Sequence, residues 1–214
     1  MKMKKSQVKI KEISHQKRRA RYTIKLDNGD VFGISEDVLL TSGIASGDTI
    51  DQDRIDEVLN LEYKSKIYNS ALHLLHYRTR SKYELTSRLL EKDYPLSAVK
   101  SVIEQLESMG YVNDRQFVKA FIRDSVNLKK MGPYGIRNAL QRYKVSSNFV
   151  DQELEAIYHE FPIPSIIQSL LDKKKIQQNK KLDKQTLTRL INFLKRKGYF
   201  WEHIEPILIE KGLI

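Results

Sequence analysis

Cysteine is missing altogether from the 214 residues, which excludes disulfide frameworks, thiolate zinc sites and cysteine nucleophiles. No stretch reaches the roughly 20 apolar residues of a membrane-spanning helix. The start, Met1–Lys5, is basic, but Ser6, Gln7 and Lys9 follow it rather than an apolar run. It therefore does not read as a signal peptide, and a cytoplasmic protein without membrane contact is expected. A glycine-rich phosphate loop ending in Lys-Ser/Thr, a dinucleotide fingerprint and a serine elbow are all missing. The expectation is a non-enzyme that needs no cofactor. Acid is the scarcer charge: 38 Lys and Arg stand against 27 Asp and Glu, a formal net charge of +11. That balance attracts polyanions such as DNA, RNA, an anionic membrane or an acidic protein groove, without choosing among them.

What the chain does have is an internal repeat. Leu85, Leu89, Tyr94, Val99 and Ile103 recur 51 residues on as Ile136, Leu140, Val145, Val150 and Leu154. A further 54 residues on they recur as Leu190, Leu194, Tyr199, Ile204 and Leu208. Two apolar residues four apart, a break, and two more four apart describe one helix face, a turn and a second helix face. A period of this size marks a stacked helical array in which no unit buries its apolar face alone. Each pair is preceded by a leading helix, the first on Ile67, Ala71, Leu74 and Leu75 and ending near Tyr77, so nine helices are expected. The fold class is mainly α: a tandem array of three three-helix repeats at 61–111, 112–160 and 161–214. A small β-rich domain, 1–60, precedes them.

Within that first domain, Tyr22, Ile24 and Leu26 alternate with polar residues. Asn28-Gly29 follows, then Val31, Phe32 and Ile34, a hairpin pattern in which both turn residues can take positive φ. Val8, Ile10 and Ile13 suggest an earlier strand, Thr49 and Ile50 a last one, and Ser35–Leu40 a short helix with Ser35 as N-cap. Residues 1–25 hold ten Lys or Arg and one acid, whereas 26–60 hold one base and nine acids. The two halves are either complementary or solvated strand faces, or a basic N-terminal edge for a polyanion. Asp48, Asp51, Asp53, Asp56 and Glu57 do not match a calcium loop and read as a solvated linking turn.

Helix boundaries are well marked. Ser81-Lys82-Tyr83-Glu84 fits a capping box, and Pro95 suits a first helical position. Gly110 stops one helix, Asn113 caps the next, Gly132-Pro133 opens another, and Ser146 or Ser147 caps the one after. Lys173–Lys184 reads as a helix end running into a loop, and Pro206 kinks or shortens the last helix.

The cations fall at telling places. Arg78, Arg80 and Lys82 cluster at a helix-to-helix corner, with Arg88 farther along. Arg115, Lys119 and Arg123 form a stripe opposite Phe117 and Phe121. Lys129 and Lys130 precede the Gly-Pro turn, with Arg137 and Arg142 beyond it, and Lys195-Arg196-Lys197 closes a later helix. Basic residues near helix C-termini complement the macrodipole, which suffices for Lys195–Lys197; the corner and the stripe are candidates for partner contact. Tyr94 and Tyr199 sit at equivalent turns and read as packing residues, and Phe200 and Trp201 as core anchors. His73 and His76 lack a third ligand and read as half-buried helix surface rather than a metal site.

Taken together these segments resemble the RecX family, regulators of the bacterial recombinase RecA. The similarity rests on Ala71–Leu75 leading to Arg78-Thr79-Arg80-Ser81-Lys82-Tyr83-Glu84-Leu85, on Gly110–Asp114 followed by Phe117, and on Lys130-Met131-Gly132-Pro133 followed by Ile136 and Leu140. Lys197-Gly198-Tyr199 is in register in the third unit. The resemblance covers 61–214, and the β-rich start is similar to the extra N-terminal region of longer members in low-GC Gram-positive bacteria. Departures are Lys92-Asp93 and Tyr143-Lys144 where Lys-Gly is usual, and Val118 where a small alanine is common. The resemblance implies a non-enzymatic protein, here expected to be monomeric, that lies in the groove of the RecA–DNA filament. It would hinder filament extension, ATP hydrolysis and strand exchange, and so affect recombination, repair and the SOS response. The +11 charge also suits single- or double-stranded DNA, so a DNA-binding repeat protein without a dedicated RecA contact is the alternative.

Overall fold

Period-two alternation becomes four strands, β1 (Gln7–His15), β2 (Arg21–Leu26), β3 (Val31–Ser35) and β4 (Thr49–Asp51), in an antiparallel sheet of order β3-β2-β1-β4. The computed structural model describes residues 7–17 and 20–214. The basic start Met1–Lys5, and Arg18 and Arg19 of the basic stretch, lie outside the described residues. Ile10, Ile24, Leu26, Ile34 and Ile50 point to one face and are buried. The β2–β3 turn departs from the sequence expectation. Gly29 alone takes positive φ (92°), the Gly29 N–H donates to the Leu26 carbonyl, and Asn28 Oδ1 accepts the Asp30 N–H at 3.0 Å. A wider loop closed by one left-handed glycine replaces the tight Asn-Gly turn. Among the described residues of the basic stretch, β1 lies between β2 and β4 rather than at a sheet edge, and Lys25 reaches Glu12 at 2.9 Å.

Helix α1 (Glu36–Ser42) starts at Ser35, whose hydroxyl makes no cap bond; its backbone N–H donates instead to Glu62 Oε2 at 2.7 Å. Glu62 belongs to α2 (Gln52–Tyr77), is 3% exposed, and also meets Arg21 at 2.8 Å. A carboxylate this deeply buried is tolerable because a cation and a backbone donor replace its water. The acidic run is a helix start rather than a linking turn: the Asp51 side chain accepts the Arg54 N–H at 3.0 Å, and Asp53, Asp56 and Glu57 ride the first turns of α2. Ile55 and Val58 of α2 pack on the sheet, while Ile67 and Ala71 are buried farther along, where α2 meets α4.

The expected nine helices follow the sheet. They are α2 with α3 (Lys82–Leu90) and α4 (Leu96–Ser108), then α5 (Asp114–Asn127), α6 (Pro133–Gln141) and α7 (Ser147–Glu160), then α8 (Ile163–Lys173), α9 (Lys184–Arg196) and α10 (Trp201–Glu210). Together with α1 this makes ten helices among the described residues. Of the fifteen repeat positions, thirteen are buried; Tyr94 and Val145 are half-buried. Pro95 is the N-cap of α4 rather than its first residue, and Pro206 sits inside a helix of only 10 residues. The chain forms two compact units, one of Met1–Arg78 with Leu85–Met109 and one of Thr79–Glu84 with Gly110–Ile214. Val118 is fully buried in the second.

The departures from Lys-Gly do not change the turn. Asp93 (φ 60°) and Lys144 (φ 49°) take the same left-handed conformation as Gly198 (φ 93°). An L-residue pays roughly 1–2 kcal/mol for that conformation, of which the greater unfolded-state freedom of glycine would return about 0.5–1 kcal/mol. Asp93→Gly should therefore stabilise the protein by about 0.5–1 kcal/mol, read as a higher denaturation midpoint at unchanged slope.

Candidate functional site

The corner at residues 78–84 is built to dock its own chain. Arg78 ends α2 in extended conformation (φ −168°) and is exposed. Arg80 is turned inward: its guanidinium pairs with the Glu84 carboxylate, and both side chains are only 12% exposed. Ser81 is fully buried; its hydroxyl accepts the Glu84 N–H at 3.1 Å, the forward half of the capping box, and donates to the Tyr143 carbonyl at 3.2 Å. The Lys82 N–H donates to Asp114 Oδ1 at 2.7 Å, and Lys144 Nζ lies 4.3 Å from the centre of the Tyr83 ring. The first turn of α3 is thereby held against the N-terminus of α5 and the end of α6. Arg88 is 55% exposed and meets Glu91 of the following turn at 3.1 Å.

The stripe on α5 faces outward, with Phe117 on the opposite side in the core and Phe121 packed against it. Its cations lean toward α7, which supplies acids at matching heights. Arg115 lies 3.6 Å from Glu153, and Arg123 lies 3.2 Å from Glu160. Arg137 of α6 binds Asp151 through Nε at 3.1 Å and a terminal nitrogen at 2.9 Å. Lys119 is exposed beside a cleft of about 150 Å³ that Glu153 and Glu160 also line. These guanidinium groups are about half exposed, and an exposed pair is worth at most about 1 kcal/mol. A polyanion with several charges in register can compete with such partners. Arg142 is exposed and lies over the Tyr143 ring, 4.9 Å from its centre.

Lys129 and Lys130 begin a turn of the second unit that distant residues hold. Its carbonyls are taken in succession: Lys129 by Lys197 Nζ (2.7 Å), Lys130 by the Tyr199 hydroxyl (3.2 Å) and Met131 by the Tyr158 hydroxyl (2.7 Å). The Gly132 N–H then donates to the Lys197 carbonyl at 2.8 Å. Backbone meets backbone here, because a Cβ on Gly132 would lie 2.5 Å from the Gly198 oxygen, and one on Gly135 would lie 2.9 Å from the Lys197 oxygen. Gly135 went unnoticed in the sequence; its signal was a glycine inside a helical pattern, which marks close backbone approach.

This contact also corrects one expectation. Tyr199 fills the space behind the glycines and is 1% exposed, and Tyr94 packs at its turn with its hydroxyl 3.1 Å from that of Ser70. Phe200 and Trp201 are not core anchors: they are 47% and 40% exposed, since the core position is already occupied by Tyr199 and the next two residues cap and begin α10 on the outside. His73 and His76 are exposed rather than half-buried, each with its ring edge-on to Tyr77. No group of three or more His, Cys, Asp or Glu among the described residues could hold a metal ion, and no described helix is long and apolar enough to cross a membrane.

Three-helix units in tandem, with cations on exposed helix faces, define a helical-repeat protein. The family models for the first and second three-helix domains of RecX match residues 68–106 and 113–154. Regulatory protein RecX of Geobacillus sp. (strain WCH70) is 31% identical over 195 residues, covering 90% of this chain and 72% of the relative. That of Leuconostoc citreum (strain KM20) is 30% identical over 199 residues, covering 93% and 74%. The chain belongs to the RecX family. The fold is shared with a crystal structure of regulatory protein RecX (TM-score 0.70, 24% identity, 94% and 98% of the two chains) and with RecX from Lactobacillus salivarius (TM-score 0.60, 21% identity, 72% and 99%).

Two outcomes follow from the turn. Gly132→Ala should lose about 3 kcal/mol of stability, since a backbone oxygen cannot move aside as a side chain can; chemical denaturation measures it. Burial raises the hydroxyl pKa of both Tyr158 and Tyr199 above the usual 10.0, and Tyr158 is raised further by Tyr199 beside it. A raised folded pKa means the stability is complete below the unfolded value and is lost as pH climbs beyond it. Stability should therefore fall above about pH 10, and Tyr158→Phe should flatten that fall in thermal scans between pH 9 and 11.

Proposed function

We propose that the protein regulates the RecA recombinase, mostly by inhibition, through binding in the groove of the RecA–DNA filament. In this reading it tempers recombination, DNA repair and the SOS response, and it works in the cytoplasm as a monomer without chemistry of its own. The observation that carries the reading is membership of the RecX family, with regulatory relatives matched over nine-tenths of the chain. The charge supports it: cations on exposed helix faces suit a filament groove lined by acidic side chains and phosphates, and give a salt-dependent affinity. The working segments would be the N-terminal domain to residue 60 and the repeats at 61–111, 112–160 and 161–214.

Among the candidate contacts, Arg115, Arg123 and Arg137 are the best placed to exchange their present acidic partners for a filament, and Lys119 and Lys129 are exposed as well. Arg78, Arg88 and Arg142 are also exposed. Arg80, paired inside the corner, and Lys82, whose backbone is tied to Asp114, act in this reading by holding that corner in shape. Titrating the protein into RecA on single-stranded DNA should inhibit ATP hydrolysis at less than one molecule per RecA subunit. The triple change Arg115→Ala, Lys119→Ala, Arg123→Ala should weaken inhibition severalfold while the circular dichroism spectrum is retained. ATP hydrolysis that stays constant through a full titration at low salt would sink the reading. Inhibition that vanishes whenever DNA is in excess would favour a DNA-binding protein with no dedicated RecA contact.

A further inference from the structure

We infer that the junction of the second and third repeats carries a base-stacking shelf for single-stranded nucleic acid, built on Tyr134 and Phe200, with Trp201 next in the chain. The three are 45%, 47% and 40% exposed. Tyr134 and Phe200 come from different helices, yet their ring centres lie 4.8 Å apart, and the Phe200 ring is nearly parallel to that of His203 at 16°. Neighbouring rings from α6 and the N-cap of α10 thus lie together, and Trp201 opens α10 directly after Phe200. The packing that holds the shelf is backbone contact, Gly132 and Gly135 against Gly198, so it is preformed.

Charge decides what would lie on it. The same glycine contact brings two basic segments side by side. Lys129 and Lys130 come from one and Lys197 from the other, joined where Lys197 Nζ reaches the Lys129 carbonyl at 2.7 Å. Lys195 and Arg196 are exposed on the last turn of α9 just before it. Neither residues 125–136 nor residues 187–201 contain an Asp or Glu. The stripe on α5 differs, because its cations are answered by acids of α7. Exposed aromatic rings within cationic, acid-free segments match a strand that offers phosphates to one and unpaired base faces to the other. A duplex hides its base faces within the stack and gains only the phosphate contacts.

The test uses the full chain alone, with no recombinase, so it stands or falls separately from the regulator reading. Trp201 is the one tryptophan in the sequence, and its fluorescence reports stacking directly. A short oligothymidylate should quench it and bind roughly tenfold more tightly than an abasic phosphodiester of equal length, one stacked base being worth that much. Phe200→Ala should erase this preference and leave abasic binding as it was. Should that variant misfold by circular dichroism, Tyr134→Ala on the other helix reads the same loss. Equal affinity for the two strands, unquenched fluorescence, or a duplex bound as tightly as the single strand would overturn the shelf and leave simple phosphate attraction.

Discussion

The second unit is joined at four consecutive residues, Lys129 to Gly132, each of which has one backbone group answered by a distant part of the chain. Three carbonyls are capped by Lys197, Tyr199 and Tyr158, and one N–H by the Lys197 carbonyl. Helix ends normally leave such groups to water. Here they become the joint between repeats, at the closeness that only facing glycines allow. Burial of Tyr199, exposure of Phe200 and the side-by-side basic segments are all consequences of that one approach.

Electrostatics divides the basic surface into two kinds. On α5 and α6 the arginines are spread out and leashed by Asp151, Glu153 and Glu160. The leash orders long side chains without hiding their charge. At the repeat junction Lys197 reaches a backbone carbonyl, that of Lys129, rather than a carboxylate. A net charge of +11 is therefore a poor description of what an approaching polyanion meets.

Much of this was legible in the sequence, and the reason is locality. The Asn113 cap, the forward bond of Ser81 and the Gly-Pro entry into α6 all rest on residues within one helical turn of each other. What escaped was non-local. The repeat marked Tyr199 as a packing position, but nothing near Phe200 announces that it and Trp201 stay outside the core. The inward side of the stripe was visible, but not its acids, since α7 is brought alongside α5 by tertiary packing.

The uninterrupted run of α2 has a mechanical meaning. Over 26 residues, at about 1.5 Å and 100° each, it joins Val58 under the sheet to Ile67 and Ala71 in the first repeat without a loop between them. Its phase is therefore locked. Adding one residue between Glu62 and Ile67 would turn the apolar face of the repeat a quarter-turn and more out of its seat, whereas an added residue in the loop at 174–183 could simply bulge. Length variation along this chain should be confined to its loops, with the axle between sheet and first repeat kept at constant length.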